Sequence, residues 1–496
     1  NLEISETDSI IDESTASGGI FNGVEDPDAS VDNLFNGMNR LGDQANFFAL
    51  QEVATDEQLV PTRGTDWGDN GIWRTLHSHT WDPGHQYILN TWNNWNQTIF
   101  LASEVIDSRS NASAEQVAQA SFVRAFAMWV IMDMFGQVPF RQPDEGPDVD
   151  PVIFSSPEAL AFVLSDLDVA IAGLPSVAAM DVANQNRGTK AAARFLKARV
   201  LLNSGVYNGT GTPDSLSEVV SLVDQIAAEG YALQAGYFDI FKQDADTETI
   251  FWLPTSIGNR IWNGAHYNTV APDNTGGGWN GFATLAEFYD MFEGAPDNNY
   301  VGAGQEERRG WVPDATNADA TNLGWAYGFW VGQAYDANGN KLKDRPGNDL
   351  VFTREFPGLV GNNERTGIRV YKYHPSDGSF TNHEIIFRYA DAHLMKAEAI
   401  MRGAGGGDAT ALVNELRVLR DATPLGSVTE NDMLAERGRE LYVEAIRRTD
   451  MVRFGQFTRD WEFKNPESVG DDHWNLYPIP TNALLSNPNL VQNPGY

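Results

Sequence analysis

Two stretches of this chain combine tryptophan with short polar side chains, a mixture that can bind a ligand. Of the 14 tryptophans, five lie between Trp67 and Trp95 and six between Trp252 and Trp330. Flat indole rings stack on the apolar C–H faces of sugar rings, while neighbouring Asp, Asn and Arg side chains hydrogen-bond the hydroxyl groups. Both stretches therefore have the residue types of a carbohydrate-binding surface.

The first stretch, residues 56–82, places Arg63, Asp66, Trp67 and Trp81 close together in sequence, with further aspartates and histidines between them. These side chains suit recognition of a polyhydroxylated ligand. The alternative for the two tryptophans is a structural role, in which each indole holds this loop against the folded body. The sequence leaves both interpretations open for each ring.

The second stretch contains tryptophans that no regular element accounts for. Trp279, Trp311, Trp325 and Trp330 lie in Gly- and Asn-rich segments without helical or strand periodicity, so we expect them to be exposed. An exposed indole is unfavourable unless it has a binding role. We predict that Trp279, Trp311 and Trp325 contact a ligand. Trp92 and Trp95, by contrast, follow a helical pattern and are expected in the core.

Metal-binding patterns are weak. His77, His79 and His85 lack the spacing of a zinc site, which needs three or four convergent ligands. Residues 336–340 begin like a calcium loop, but Lys341 holds the sixth position and no Glu closes the loop. We therefore expect an Asn-Gly turn there and predict no cofactor. Structural calcium held by loop carbonyls remains an open alternative.

Catalytic motifs are missing from the sequence. There is no Gly-x-Ser-x-Gly elbow, phosphate loop or dinucleotide-binding turn. With 68 Asp and Glu residues, some carboxylate pair will lie at glycosidase distance by chance, so carboxylates alone are no argument for hydrolysis. Arg437, Arg439, Arg447 and Arg448 alternate with glutamates and are expected to form ion pairs on a helix surface.

Composition excludes several partner classes. The chain has 34 basic and 68 acidic residues, a net charge of −34, and its first basic residue is Arg40. Nucleic acid and anionic membrane surfaces are excluded as partners, because both need clustered Lys and Arg. No run of about 18–20 apolar residues could form a membrane helix. There are no cysteines, hence no disulfides.

Hydrophobic periodicity predicts a mainly α fold. Ser113 with Gln116 predicts a capped helix that ends at Gly136. Further helical patterns cover residues 32–57, 85–107, 156–174, 187–206, 215–229, 384–402, 408–420 and 436–450. Short loops between them predict tetratricopeptide-like helical hairpins.

The predicted domain organisation has three parts. Residues 1–32 form an acidic arm, and residues 33–496 form one unit. Within that unit, residues 33–230 and 382–460 are the helical scaffold. Residues 231–381 are rich in Gly, Asn, Pro and Asp and are expected to be a loop-rich, ligand-binding insert, with a strand near residues 367–373.

Several motifs in register closely resemble the SusD/RagB family of outer-membrane nutrient-binding lipoproteins. In chain order they are Arg124–Phe126 with Phe135–Phe140, Lys190–Leu202, Arg388–Ala399, Asn414–Arg417, Glu436–Asp450, Leu476–Pro480 and Gln492–Tyr496. Asp391–His393 and Val443–Ala445 depart conservatively from the family pattern. These motifs belong to the scaffold and do not specify a ligand.

The resemblance implies a non-catalytic, cell-surface glycan-binding lipoprotein that closes over a TonB-dependent, SusC-like transporter. It also implies a lipid anchor on a Cys upstream of the acidic arm, and a glycan cleft that includes the loop holding Arg63, Asp66, Trp67 and Trp81. The acidic surface favours a neutral glycan, either a β-glucan such as laminarin or a fructan. Two alternatives stay open: a glycoside hydrolase or lyase on a helical scaffold, and a transporter lid with negligible sugar affinity.

Overall fold

The computed structural model describes residues 21–146, 148–242, 244–255, 258–269, 277–377 and 382–496. It is 44% helix and 10% strand, which confirms the mainly α prediction. The α-helices in these ranges are α1 (Pro27–Met38), α2 (Ile72–Ser78), α3 (Gln86–Ile106), α4 (Ala114–Phe135), α5 (Ser156–Gly173), α6 (Lys190–Leu202), α7 (Ser204–Tyr207), α8 (Leu216–Ala227), α9 (Gly258–Gly264), α10 (Ala286–Tyr289), α11 (Tyr389–Met401), α12 (Ala409–Leu419), α13 (Glu430–Leu441), α14 (Arg447–Arg453) and α15 (Thr481–Ser486).

The strands are short and pair antiparallel. They are β1 (Gln137–Phe140) with β2 (Val152–Ser155), β3 (Thr249–Leu253) with β9 (Glu384–Arg388), β4 (Gly310–Trp311) with β5 (Tyr327–Trp330) and β8 (Arg369–Tyr371), and β6 (Gly332–Gln333) with β7 (Val351–Phe352). In the three-stranded sheet the order is β4-β5-β8. This sheet lies in the loop-rich part of the chain, and β8 confirms the predicted strand.

The scaffold is a series of neighbouring helices. α3 packs along α4, α4 along α5, and the series continues through α6, α8 and α11. Only residues 107–113 join α3 to α4, so the two helices run antiparallel as a hairpin. Trp92 and Trp95 of α3 are buried, as predicted, against Phe135 and Phe126 of α4.

α4 is the central helix of this layer. The Gln116 N–H donates to the Ser113 hydroxyl (3.2 Å) and the Ser113 N–H donates to the Gln116 side chain (2.7 Å), the predicted capping box. The helix ends at Gly136, which has the left-handed conformation that glycine adopts without strain. Every side chain from Ala118 to Phe135 is buried. α4 is apolar and long enough to cross a membrane by composition, but here it is a core helix.

The predicted helix over residues 32–57 is wrong in both its ends and its continuity. α1 begins earlier, at Pro27 with Asp26 as its N-cap, and ends at Met38. A 3₁₀ turn over Asn39–Gly42 and a π-helical turn over Ala49–Val53 follow. The π turn is buried on all sides, so it has no polar face from which a helical period could be read.

The predicted helix over residues 384–402 begins five residues too early. Residues 384–388 form β9, which pairs with β3, and α11 starts only at Tyr389. The β9 sequence Ile385-Ile386-Phe387 is short, apolar and β-branched or aromatic. Such a run fits a buried strand as well as a helix turn, so only the partner strand decides between them.

The predicted helix over residues 436–450 is broken in the middle. α13 and α14 are separated by a turn in which Val443 and Ala445 have φ values of +62° and +57°. Left-handed backbone is costly for residues with a Cβ, and hydrogen bonds to buried side chains hold it here. The Glu57 carboxylate, for example, accepts the Val443 N–H (2.5 Å).

The four arginines of this segment are buried, so the expectation of surface ion pairs is wrong. Their carboxylate partners are Asp391 and Asp450 for Arg437, Glu436 for Arg439, Asp56 for Arg447 and Asp133 for Arg448. Three of the four arginines pair with residues of other elements. The local alternation of acidic and basic residues is typical of an exposed helix surface. Here, however, these arginines form a buried network that joins distant parts of the chain.

The loop-rich region has a core of its own. Trp325 and Trp330 are 1% and 0% exposed and pack with Tyr371 around the β4-β5-β8 sheet. The expectation that these two indoles are exposed is therefore wrong, because tertiary packing buries them without a local period. The predicted turn at residues 336–340 is confirmed: Gly339 has φ +77°, and Asp336 accepts two backbone N–H groups.

Candidate functional site

A strained loop between β-like and helical backbone carries the first site residues. Trp67, Asp69 and Asn70 all have positive φ. Backbone hydrogen bonds in both directions join Arg63 and Asp66 (2.9 Å each), which closes a two-residue turn. Left-handed backbone at several non-glycine positions is rare and is found at functional sites.

Arg63 holds this loop from beneath. Its side chain is buried, and its guanidinium donates to the carbonyls of Asn363 (3.0 Å) and Thr366 (2.6 Å). The group therefore joins the 63–71 loop to a second loop about 300 residues later. Arg63 supports the surface and does not lie on it.

Trp67 lies on the surface of the loop and is partly exposed. One face of its indole lies against Gly281, where a Cβ would meet ring carbons at 2.4–2.8 Å. Its ring edge contacts Phe282 and the buried Trp73. Its Nε1–H donates to the carbonyl oxygen of Trp279 (2.6 Å), which ties the Trp67 ring to the Trp279 backbone.

Trp279 is the most exposed of the large apolar residues near this loop, at 66%. Its backbone is nevertheless fixed, because its N–H donates to the Trp262 carbonyl of α9 (2.7 Å). The next residue, Asn280, is buried and accepts a hydrogen bond from Arg369 (2.8 Å). An exposed indole on an ordered backbone is preorganised for stacking.

A polar cluster adjoins the two indoles. The Tyr267 hydroxyl donates to Asp66 Oδ2 (2.6 Å), and the Arg345 guanidinium bonds the same oxygen (2.8 Å) while lying 3.8 Å from the Tyr267 ring centre. Arg345 also pairs with Glu364, which contacts His266 (3.0 Å). The side chains are thus crosslinked into one ordered edge.

Hydrogen bonds and burial shift the pKa values of three groups in this cluster. The Tyr267 hydroxyl, followed by Arg345, holds the pKa of Asp66 below its ordinary value, so Asp66 is an ionised acceptor at neutral pH. Burial lowers the pKa of His266 to about 4, so this ring is neutral. Burial opposes ionisation of Glu364, but hydrogen bonds from Arg345 and His266 lower its pKa.

We call Asp66, Trp67, Tyr267, Trp279 and Arg345 the Trp279 platform. It offers an exposed indole, two partly exposed aromatic rings and charged groups at one edge. Three of its members were predicted from sequence. Tyr267 and Arg345 were missed: Arg345 precedes a Pro-Gly turn, which is a visible signal, whereas no local pattern distinguishes Tyr267.

The other predicted site residues lie elsewhere. Trp81 is 3% exposed, and its Nε1–H donates to the Tyr496 hydroxyl (2.8 Å), so it anchors the C-terminal segment. Trp325 is inside the second core and has no face to offer a ligand. Trp311 is partly exposed and lies on β4, and the hydrogen bonds that join the platform residues do not involve it.

The three histidines of residues 77–85 have structural roles. His77, His79 and His85 each bond a backbone carbonyl, at 2.9–3.0 Å through Nε2. Burial lowers the pKa of each ring, which keeps it neutral. Among the residues that the structure describes, no three His, Asp or Glu side chains are grouped so that they could hold a metal ion.

Comparison with known proteins decides the family. Residues 241–496 match the family model described as the SusD family, which is more than half of the chain. The chain belongs to the SusD family. Residues 12–202 match a second model, described as "Starch-binding associating with outer membrane". The members and structural neighbours of this family are carbohydrate-binding proteins and not enzymes.

Individual proteins are similar to this chain over most of its length. The starch-binding protein SusD of Bacteroides thetaiotaomicron is 28% identical over 90% of this chain and 85% of its own length. A SusD-like protein from Bacteroides fragilis has the same fold, with a TM-score of 0.71, 20% identity, and coverage of 98% of this chain and 99% of its own. Surface glycan-binding protein A from Bacteroides thetaiotaomicron, solved with laminarihexaose, has a TM-score of 0.64, 18% identity, and coverage of 94% and 98%.

Proposed function

We propose that this SusD-family protein captures a neutral oligo- or polysaccharide at the outer cell surface, using the Trp279 platform. The observation that carries the proposal is the 66% exposed Trp279 on a hydrogen-bonded backbone, beside Trp67 and the Asp66–Tyr267–Arg345 cluster. Indole faces bind the C–H faces of sugar rings, and fixed carboxylate and guanidinium groups bind hydroxyls.

The charge of the platform favours a neutral ligand. Arg345 is the basic member, and its charge is offset by the two carboxylates that it contacts, Asp66 and Glu364. The molecule as a whole carries −34. An anionic glycan would meet repulsion both locally and at long range. A neutral glucan, either α-linked like starch or β-linked like laminarin, or a fructan, would not.

We further propose that the protein delivers this glycan to a TonB-dependent, SusC-like transporter, over which it closes as a lid. The family model that matches residues 12–202 is described as associating with the outer membrane, which supports this location. An N-terminal lipid anchor upstream of the acidic segment would hold the protein at the surface, exposed to the medium.

Affinity electrophoresis tests the ligand class. The protein is run through gels containing soluble starch, laminarin or inulin, with alginate and pectin as acidic polysaccharides. We expect retardation by at least one neutral glycan and none by the acidic ones. Preferential retardation by alginate or pectin would overturn the neutral-ligand proposal. Lack of retardation by any glycan, alongside tight association with the transporter, would favour the lid without sugar affinity.

Mutation tests the platform itself. Trp279→Ala should weaken binding of the retained glycan by about 1–4 kcal/mol, the usual cost of removing an aromatic anchor. Leu485→Ala is the control, because Leu485 is an exposed apolar residue (81%) on α15, outside the platform. Calorimetry measures both affinities. Unchanged affinity in the Trp279 variant would place the binding site elsewhere.

A further inference from the structure

A second aromatic surface lies outside the Trp279 platform. It is an open groove of about 490 Å³, a size typical of small-molecule sites. Its lining includes Phe238, Asp239, Gly302, Gly304, Gly310 and Trp311. None of these described residues is basic, and several are glycines, so the groove has an aromatic wall and much exposed backbone.

Trp311 presents one indole face to this groove. Its ring stacks on Tyr327, with centroids 5.3 Å apart and planes at 28°. Tyr327 stacks in turn on His374, at 4.0 Å and 13°. Trp311 lines the groove but Tyr327 does not, so the stack covers one face of the indole and leaves the other to the groove. Three stacked rings hold the exposed one rigidly.

The backbone around Trp311 is fixed by a close strand contact. Gly310 pairs with Gly328 in the β4-β5 ladder and has φ +69°. A Cβ at Gly310 would meet the Tyr327 carbonyl oxygen at 2.0 Å, so only glycine allows the strands to approach this closely. The approach brings Trp311 directly over Tyr327.

Polar groups also line the groove. Asp239 is exposed and pairs with Lys242 through one carboxylate oxygen, and Phe238 beside it is partly exposed; both lie on the 3₁₀ turn Tyr237–Asp239. Gly302 and Gly304 have positive φ, and no atom lies within 4 Å of a Cβ built on either. The groove therefore pairs one flat apolar face with a carboxylate and accessible backbone, the combination that suits a sugar ring.

The groove and the platform lie at opposite ends of β5. Tyr327, at one end, pairs with Trp311 of the groove. Trp330, at the other end, pairs with Arg369, whose guanidinium bonds Asn280 beside Trp279. The two surfaces share no residue. Two separate surfaces offer a long glycan chain two places to bind, whereas a short oligosaccharide occupies one at a time.

We propose that the Trp311 groove is a second binding site for neutral sugar rings, which makes the protein bivalent toward polysaccharide. This inference rests on the proposed function, since it assumes the same class of ligand. A chain that contacts both sites gains avidity, which can exceed the single-site affinity by about 10²–10⁴-fold when the geometry allows. Short oligosaccharides bind each site independently.

Calorimetric stoichiometry tests the proposal. Laminarihexaose and maltohexaose are titrated into the full chain, and laminarin and soluble starch are compared as polymers. We expect two hexasaccharides per wild-type protein for the glucan that binds, one for Trp311→Leu, and one for Trp279→Ala. Trp311→Leu should weaken polymer binding by about tenfold or more. Trp311→Phe keeps a flat ring and should retain both properties.

A groove-filling variant distinguishes loss of the second site from misfolding of the Trp311 variants. Val301 lines the groove and is 52% exposed, so Val301→Arg places a long side chain in the groove without changing the core. It should reproduce the effect of Trp311→Leu. A stoichiometry of one in wild type, with unchanged polymer affinity in both variants, would overturn the second site and leave the platform standing. Loss of all binding in Trp311→Leu, with full affinity in Trp279→Ala, would instead overturn the platform.

Discussion

At the scale of single residues, the position of Trp67 depends on Gly281. The Trp67 indole lies flat against the Gly281 backbone and reaches the Trp279 carbonyl only because no Cβ intervenes. Glycine is needed here because the Trp67 ring lies close to its Cα, and not because the backbone has a positive φ. The platform therefore depends on the absence of a side chain at residue 281 as well as on its aromatic rings.

Gly281→Ala should therefore displace the Trp67 ring, because its Cβ would lie 2.4 Å from ring carbons. We expect glycan affinity to fall by roughly tenfold, on the order of 1–2 kcal/mol, as for loss of an interface contact. Gly68→Ala is the matched control: Gly68 has an ordinary negative φ, and a Cβ there has no neighbour within 4 Å. Equal glycan affinity in the two variants, measured by calorimetry, would contradict this role of Gly281.

Trp279 and Trp325 differ in their expected contributions, the first to glycan binding and the second to stability. Trp325 is fully enclosed by Trp262, Trp330 and Tyr371, whereas Trp279 is exposed. Trp325→Ala should reduce the free energy of unfolding by about 3–5 kcal/mol through the cavity it leaves. Trp279→Ala should change it by less than about 0.5 kcal/mol. Urea unfolding monitored by circular dichroism measures both, and a large loss in the Trp279 variant would contradict its placement.

At the scale of elements, the turn between α13 and α14 depends on two buried carboxyl groups. Glu57 accepts the Val443 N–H and Glu52 accepts the Ile446 N–H (3.0 Å). Burial, and then the neighbouring Glu52, raises the pKa of Glu57, and burial also raises the pKa of Glu52. The two carboxyl groups hold the turn open. Without them, the local sequence would favour one continuous helix through this segment.

The raised pKa values predict a pH dependence of opposite sign to ordinary acid unfolding. A carboxyl whose pKa is raised by folding stabilises the protein below its ordinary value of 4.5, and this contribution is lost as pH rises through the raised pKa. Glu57→Gln keeps the acceptor for Val443 and stays neutral. It should be more stable than wild type at pH 8, on the order of 1–2 kcal/mol, with the difference vanishing near pH 4.

Urea unfolding of both proteins across this pH range measures the effect. Glu57→Ala is the comparison, because it removes the acceptor and should destabilise the turn at every pH. A Glu57→Gln protein that is less stable than wild type at pH 8 but equal to it at pH 4 would show that the ionised pair stabilises the fold. That outcome would reverse the assigned sign.

At the scale of the whole molecule, negative charge is in excess, while many of the basic residues lie inside. Arg308, Arg388 and Arg420 are fully buried and pair with Glu248, Glu436 and Glu440. Because these arginines already pair with buried glutamates, they do not neutralise the carboxylates on the surface. Repulsion between surface carboxylates is long-ranged and screened by salt, whereas the buried pairs are screened much less.

Salt should therefore stabilise the protein without changing its affinity for a neutral glycan. Raising sodium chloride from about 0.02 M to about 0.5 M shortens the screening length to a few ångströms and should raise the melting temperature. Affinity for the retained glycan should change by less than about twofold, because no net charge is neutralised on binding. Differential scanning calorimetry and titration calorimetry measure the two effects. A steep loss of glycan affinity with salt would contradict a neutral-ligand site.

The sequence by itself determined much of this molecule. Helix caps such as Ser113 with Gln116, helical periods and the ordered family motifs predicted the mainly α scaffold, the loop-rich region and the family. These features are local or linear in the chain. Asp66, Trp67 and Trp279 were predicted from sequence as ligand contacts; the structure brings them together, and their role in binding stays a prediction.

Only the tertiary structure decided which tryptophans are exposed and which charges are buried. Trp81 and Trp325 lie in loop-like sequence, yet partners far along the chain, such as Tyr496 and Tyr371, enclose them. Arg448 has the sequence context of a surface residue, but its partner Asp133 lies 315 residues away. Burial depends on long-range packing, and the composition and spacing of a local segment do not contain it.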